Sequence, residues 1–411
     1  MRIDWKFKRI KEICNYISRG VTPNYVDKGI YKVVNQATFS KGYWDIENIK
    51  YSTNNRKEAL IKKGDLLIAS TGGGVLGKVY YVEDDIHDYY ADSHVTIIRS
   101  SNNISNTKFL YYIFSINYLM INTLLAKGST NQTELQRNKL LDLILNIPPL
   151  QEQISIINYL DAKTTQISTQ ISLLAKKRDT YLRLKKSLIH KVVTKGLNPN
   201  VELKDSEIDW LGKIPKHWEM KRAKTLFTEA KLVSLTGMED LLSVSEYYGI
   251  ARRLDKMDEN EEYESRSNSL IGYKICKKGD LVINIMLAWK RGLGVSNYDG
   301  IVSPAYAVYK SKGIHSMFFH YLMRTDMYVA EFKRNSKGII DSRLRLYTER
   351  FYNILFPTPP LSEQMEIADY LNKQSEKIDT IISNINAQIQ KLQTLRKSLI
   401  NEIVTGERSI I

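Results

Sequence analysis

The chain is written twice. The segment Pro148-Pro149-Leu150-Gln151-Glu152-Gln153 returns as Pro359-Pro360-Leu361-Ser362-Glu363-Gln364, 211 residues further on. At the same offset Tyr159-Leu160-Asp161 meets Tyr370-Leu371-Asn372, and Leu184-Lys185-Lys186-Ser187-Leu188-Ile189 meets Leu395-Arg396-Lys397-Ser398-Leu399-Ile400. Both copies then reach a Val-Thr pair, Val193-Thr194 and Val404-Thr405, just before a glycine. Whatever fold one such unit takes must therefore occur twice, which constrains the chain before any element is assigned.

The rest of each unit repeats more faintly. Lys62-Lys63-Gly64-Asp65-Leu66-Leu67-Ile68 matches Lys277-Lys278-Gly279-Asp280-Leu281-Val282-Ile283, in each case a Gly-Asp turn feeding an apolar strand. Trp5-Lys6-Phe7-Lys8-Arg9 aligns with Trp218-Glu219-Met220-Lys221-Arg222 at an offset of 213. The globular parts have diverged while the tails have not.

Those tails read as long helices. Steps of three and four residues from Ile157 pass through Leu160, Thr164, Ile167, Ile171, Leu174, Arg178, Tyr181, Lys185, Leu188 and Val192. From Ala368 they pass through Leu371, Ser375, Ile378, Ile382, Ile385, Ile389, Leu392, Arg396, Leu399 and Ile403. Apolar residues fill 8 of 11 and 9 of 11 of these positions, two polar steps are shared (Thr164/Ser375 and Lys185/Arg396), and no proline or glycine interrupts either run. This is coiled-coil spacing, with the Pro-Pro pair marking each helix start and Gly196 and Gly406 each stop. About 45 residues, or ~65 Å, is too long for an ordinary amphipathic helix lying on its own domain. Like units usually associate about a two-fold axis, which makes the two helices antiparallel partners.

The expected organisation is a head over 1–147, a helical spacer over 148–196, a linker over 197–216, a second head over 217–358 and a second spacer over 359–411. Short strands near 66–69 and 281–285, and helices near 109–125 and 318–332, make each head α+β.

Composition narrows the partner. Sixty Lys+Arg against 45 Asp+Glu leave a formal charge of +15, which points to a polyanion, and 43% hydrophobic residues exclude a disordered basic tail. Two cysteines, Cys14 and Cys276, and six scattered histidines offer neither a disulfide framework nor a zinc module. The start MRIDWKFKRIKEI lacks a signal-peptide core, and the greasiest stretch, 109–121, is broken by Ser115 and Asn117 and is too short for a bilayer. The expected location is the cytoplasm, without membrane contact.

Catalytic signatures are weak. Gly72-Gly73-Gly74-Val75-Leu76-Gly77-Lys78 fits G-x-G-x-x-G and nearly fits a phosphate loop, but Val79 cannot supply the Mg²⁺-binding hydroxyl and the following residues are β-rich. The glycines fit better as a loop through which backbone approaches something closely. Ser303-Pro304-Ala305-Tyr306 lacks the side-chain amide or carboxylate of an adenine methyltransferase. Glu83-Asp84-Asp85 and the acidic run 258–264 look like solvated loops, and no nucleophile elbow occurs. No catalytic residue and no metal site is assigned.

Two diverged heads alternating with two near-identical helices, each opened by Pro-Pro-Leu-x-Glu-Gln, resemble the specificity subunit of a Type I restriction-modification system. Gly20-Val21-Thr22-Pro23, the Lys-Gly-Asp-Leu turns, Gly128-Ser129-Thr130-Asn131-Gln132-Thr133-Glu134-Leu135, and the stretch from Glu207-Ile208-Asp209-Trp210 to Pro215-Lys216-His217-Trp218 carry the same resemblance, in the same order. It implies that each head is a target-recognition domain reading one half of a split, asymmetric double-stranded DNA sequence. It also implies that the helices act as spacer and docking platform. Catalysis would belong to partners: two modification subunits methylating adenine N6 with S-adenosylmethionine, and restriction subunits that translocate and cut DNA with ATP and Mg²⁺. The chain itself would bind no cofactor.

DNA contacts are expected from cationic and amide side chains on the head loops, the cations on phosphates and the amides and hydroxyls on base edges. Candidates in the first head are Arg19, Thr22, Asn24, Tyr25, Asn35, Gln36, Lys78, Ser129, Asn131 and Gln132. In the second they are Lys231, Ser245, Tyr247, Lys290, Arg291, Lys337, Ser342 and Arg343. The basic run from Lys176-Lys177-Arg178 to Lys191 is either a DNA-facing stripe or a solvated coiled-coil face. Two other readings stand beside this one: a duplicated coiled-coil scaffold that binds only proteins, and a self-contained DNA-modifying enzyme.

Overall fold

A computed structural model describes residues 4–53, 57–101, 103–127, 133–252 and 269–410. The chain forms two compact units, one of Met1–Ala175 with Ala387–Ile411 and the other of Lys176–Asn386. Both are α+β.

In the first unit, Lys6–Arg9 pairs antiparallel with Ile144–Ile147, so the head begins and ends on one ribbon. Its main sheet is antiparallel, in the spatial order Cys14–Arg19, Val95–Ser100, Leu66–Ala69, Val79–Tyr81. The central strand Leu66–Ala69 is apolar without alternation because both its faces are covered. Leu66 and Ile68 pack with Phe109, Leu110 and Phe114 of the helix Thr107–Ile116, whereas Leu67 and Ala69 pack with Val34 and Phe39. A second sheet, Tyr25–Val26, Lys50–Ser52, Tyr31–Val34, Tyr89–Ala91, contains one parallel pair, Tyr31–Val34 with Tyr89–Ala91.

The second unit repeats the ribbon and the main sheet, while its remaining strands form two-stranded pieces rather than a second four-stranded sheet. Glu219–Arg222 pairs with Leu355–Thr358, and the main sheet runs Phe227–Glu229, Tyr306–Ser311, Leu281–Asn284, Leu293–Val295. Leu281 and Ile283 face the helix side with Phe318 and Phe319, and Val282 faces Ile250, Cys276 and Val302. The Gly-Asp turns do the same job in both units. Lys62 N–H donates to Asp65 Oδ2 at 2.7 Å and Lys277 N–H to Asp280 Oδ2 at 2.9 Å, while Gly64 and Gly279 hold φ near +90°.

The long helices are Leu150–Lys195 and Leu361–Val404, 46 and 44 residues, with Gly196 and Gly406 in left-handed backbone just past their ends. In the first unit Ile157, Leu160 and Ile167 are buried with Leu399, Ile400 and Ile403, and Ile171 and Leu392 pack beside them. In the second, Val192 and Val193 are buried with Ile367 and Leu371, and Leu188 packs beside them. Each unit thus sets the start of one long helix against the end of the other. Ile378 and Ile385 are buried, and Leu174, Ile382 and Ile389 are half-buried. The polar steps are partnered: Thr164 lies 3.5 Å from the Tyr112 hydroxyl, and Lys185 Nζ bonds Asp379 at 2.7 Å.

Two expectations need refinement. The 197–216 stretch is more than a linker: Leu203–Asp205 pairs with Lys213–Pro215, and Leu211 and Ile214 are buried in the second unit's core. Each head helix is also two helices. Thr107–Ile116 breaks at Asn117, whose side-chain amide turns back to the Ile113 carbonyl at 2.7 Å, before Tyr118–Leu124. Ser316–Met323 likewise breaks before Asp326–Asn335.

Candidate nucleic-acid interface

In the first head, four loops meet. Gly20 lies so close to the 91–92 backbone that a Cβ would sit 2.2 Å from the Asp92 carbonyl, and this lets Val21 bridge to Asp92. The buried Asp92 carboxylate accepts from His94 N–H at 2.8 Å and from the Tyr25 hydroxyl at 3.1 Å. Burial raises the Asp92 carboxyl above its usual range, and burial together with Asp92 pushes Tyr25 up to about 12. Thr71 Oγ1 donates to Gln36 Oε1 at 3.1 Å and lies 2.7 Å from His94 Nδ1. Arg19 reaches the Ser93 carbonyl and the Glu134 carboxylate, and Thr71 bridges to Glu134, so the 134–135 segment is tied to the same place.

Two open clefts result. One, of about 530 Å³, is lined by Tyr25, Asn35, Gln36, Lys50 and His94. The other, of about 630 Å³, is lined by Arg19, Lys127, Glu134, Arg137, Asn138 and Lys139. Cationic heads beside amide, hydroxyl and imidazole groups suit phosphates and base edges respectively.

Three of the sequence candidates, Arg19, Tyr25 and Gln36, lie on these loops: Tyr25 and Gln36 line the first cleft and Arg19 the second. Asn35 lines the same cleft, but its side chain caps Ala37 N–H at 2.8 Å and donates to the Asn48 carbonyl at 2.9 Å, a structural use. Thr22 and Asn24 are exposed beside them. Lys78 follows the glycine turn, where Gly72, Gly74 and Gly77 hold left-handed φ and the chain returns directly as the strand Val79–Tyr81. With a strand rather than a helix after it, this turn has no phosphate-loop architecture. Ser129, Asn131 and Gln132 lie outside the described residues.

The second head gathers three loops around one half-buried cation. Arg324, at the end of Ser316–Met323, donates to the carbonyls of Arg291 (2.8 Å), Leu293 (2.7 Å) and Glu246 (2.9 Å). Burial, and then Arg291, lower its pKa to about 10, so it stays charged at neutral pH. It fixes the turn carrying Ser245 and Tyr247 to the loop carrying Lys290 and Arg291. Lys290 and Lys333 flank the Trp289 ring at 4.9 and 5.0 Å, and Lys333 bonds Asp341 at 3.0 Å. Leu346 N–H reaches the Ile285 carbonyl at 2.9 Å, which brings in the loop with Lys337 and Arg343. Tyr247, Lys290, Lys337 and Arg343 are exposed there, and Arg291 pairs with Asp326. Lys231 is exposed on a different loop, beside 273–275, and the side chain of Ser342 lies outside the described residues.

Sequence reading missed Lys50, Thr71, His94 and Arg137 in the first head, and Trp289, Arg324 and Lys333 in the second. None sits in a motif. Arg324 lies among other polar residues (His320, Thr325, Asp326, Glu331), so no local pattern singles it out.

The half-buried Cys14 and the buried Cys276 are thiols pushed up to about 12 by desolvation, unsuited to nucleophilic or metal chemistry. Among the described residues no cluster of His, Cys, Asp and Glu could hold a metal, and no helix is long and apolar enough to cross a membrane.

The Type I restriction modification DNA specificity domain matches residues 2–176 and 284–391, and the chain belongs to that family. The MjaVIII Type I restriction enzyme specificity subunit of Methanocaldococcus jannaschii is 22% identical over 431 residues, covering 98% of this chain and 93% of its own. The EcoBI specificity subunit of Escherichia coli is 23% identical over 393 residues, covering 86% and 81%. A chain solved in work on complex assembly and conformational transition of the type I R-M system shares the fold with a TM-score of 0.71 at 14% identity over 99% of both chains. The HsdS subunit from Thermoanaerobacter tengcongensis gives 0.54 at 15% identity over 99% and 98%. The chain is a DNA-specificity subunit of the Type I restriction-modification class.

Proposed function

We propose that the two heads, 1–147 and 217–358, each read one half of a bipartite, asymmetric DNA target. The helical spacers 148–196 and 359–411 pair as an antiparallel coiled coil about a pseudo-two-fold axis. Half-sites about one helical turn apart, ~34 Å, put both reading surfaces on the same side of the duplex. Two heads of unlike sequence imply two unlike half-sites.

The observation that carries this reading is duplication with divergence. Both units keep one main-sheet topology and one helix-start motif, yet they present different side chains at their converging loops. In this account the chain makes and breaks no covalent bonds. It works in the cytoplasm, docks two modification subunits along the helices and restriction subunits onto the assembly, and presents each half-site so that a partner can flip and methylate its adenine. S-adenosylmethionine, ATP and Mg²⁺ serve those partners.

Co-expression with the modification subunit, followed by mapping of N6-methyladenine in host DNA, tests the proposal. One split motif methylated on both strands is expected. A stoichiometric complex that methylates no motif points instead to a scaffold, and methylation by this chain alone overturns the non-catalytic role.

A further inference from the structure

One loop of the second head exposes apolar surface in a basic setting. Ile339 is 100% exposed and Ile340 53%, at the tip of a loop closed at its base by Lys337 and Arg345, which exchange two backbone hydrogen bonds of 2.9 Å. Gly338, at φ +152°, makes the bend, and a Cβ there would sit 2.6 Å from the Arg343 carbonyl. Inside the tip, Arg343 N–H closes on the Ile340 carbonyl at 2.9 Å, and Lys333 holds Asp341 at 3.0 Å. The loop is therefore held in shape by bonds that do not involve Ile339, and the Ile339 side chain packs on nothing within the unit.

A lone exposed isoleucine would be ordinary surface, but Ile339 and Ile340 together form an apolar tip on a braced loop rimmed by Lys337 and Arg343, the character of an interaction surface. Exposed Lys337 and Arg343 flank the tip, and Trp289 with its two lysines stands beside it, which favours a polyanionic cover with an apolar interior. Stacked base pairs behind two phosphate rows have that character. Apolar wedges that part a base step while cations grip the flanking phosphates are an established way to kink a duplex.

We propose that Ile339, backed by Ile340, is such a wedge: it enters and unstacks one base-pair step of the second half-site while Lys337 and Arg343 hold the adjoining phosphates. This rests on the DNA-reading function proposed above. It adds that the second half-site is selected partly by how easily that step opens, so flexible pyrimidine–purine steps are favoured at a position with no hydrogen-bonded readout.

The test uses the full chain assembled with its modification subunits and duplexes carrying its mapped motif. 2-Aminopurine is placed singly at each step of the second half-site, at least two steps from the methylated adenine. The expected result is a fluorescence rise at one step for the wild-type complex, lost in Ile339→Ser and kept in Ile339→Met. Ile339→Ser should bind roughly tenfold more weakly, the scale of one buried aliphatic side chain. Leu235→Ser, at an 84% exposed position on another loop, should change neither reading.

A wild-type complex that binds the duplex with no rise at any step overturns the wedge and leaves the DNA-reading function standing. A rise that persists in Ile339→Ser also overturns it. Loss of subunit assembly in Ile339→Ser assigns the residue to a protein contact instead. Failure of the wild-type complex to bind its motif at all removes the DNA-reading function and the wedge with it.

Discussion

The indole Nε1 of Trp218 donates to Oε2 of Glu363 at 3.0 Å, and a Cβ on Gly196 would touch both residues. In the other unit Trp5 Nε1 donates to Glu152 Oε2 at 3.2 Å, with Gly406 against the same indole. A tryptophan at the start of each head, the glutamate of each Pro-Pro-Leu-x-Glu-Gln motif and the glycine ending the opposite long helix thus meet in each unit. The repeated residues are those that join head to helix.

Removing the acceptor isolates this joint. In Glu363→Ala the fully buried Trp218 indole loses its partner, at a cost of about 1–3 kcal/mol. Calorimetry should show the loss, and Glu363→Gln should recover part of it.

The neighbouring glutamine does a second job. Buried Gln153 accepts from Asn106 N–H at 2.8 Å and donates to the carbonyls of Ile104 and Pro148, while Gln364 accepts from His315 N–H at 2.9 Å and donates to Pro359. Gln153→Ala leaves these buried groups unpaired and should cost about 2–3 kcal/mol in denaturant unfolding.

These joints were legible in the sequence because both copies need the same geometry. Helix limits, the Gly-Asp turns and the buried positions Ile157, Leu160, Ile167, Leu371 and Leu399 followed from repeat and period. The candidate interface was legible only in part. Gln36 and Arg19 were found by residue type, but His94 and Thr71 converge on them through long-range sheet pairing, which no local pattern encodes. Asn35 shows the converse, a good base reader by type whose side chain is consumed by its own backbone.

His320 predicts a pH dependence. Its ring is buried against Gly249 and Gly294, accepts Val295 N–H at 3.1 Å, and is held at about 3 by burial and then by Arg324. The unfolded value is ~6.5, so the unfolded chain binds the extra proton between these limits. Its contribution to stability is therefore complete above that range and falls on acidification, by about 1.4 kcal/mol per pH unit below ~6.5. His320→Gln, which keeps an acceptor for Val295, should flatten this slope between pH 6.5 and 5 in thermal melts.

Arg324 is a positioning residue for the second head. Arg324→Met frees the 245–247 turn from the 291–293 loop and should slow methylation of the native motif by roughly 10–100-fold, the scale of one lost charge-assisted bond. Methylation at sites altered only in the second half should fall less, because discrimination there is relaxed. Equal losses at both kinds of site would indicate simple destabilisation.

The division of labour between heads is tested most directly by mapping N6-methyladenine after co-expression with the modification subunit. Three chains are compared: wild type, Arg19→Ala/Gln36→Ala, and Ser245→Ala/Tyr247→Phe, which remove candidate base-reading groups from the first and the second head respectively. The wild type should yield one split motif, the first variant should relax only one half of it, and the second only the other. A substitution in one head that changes both halves, or a wild-type complex with no motif, would contradict the account.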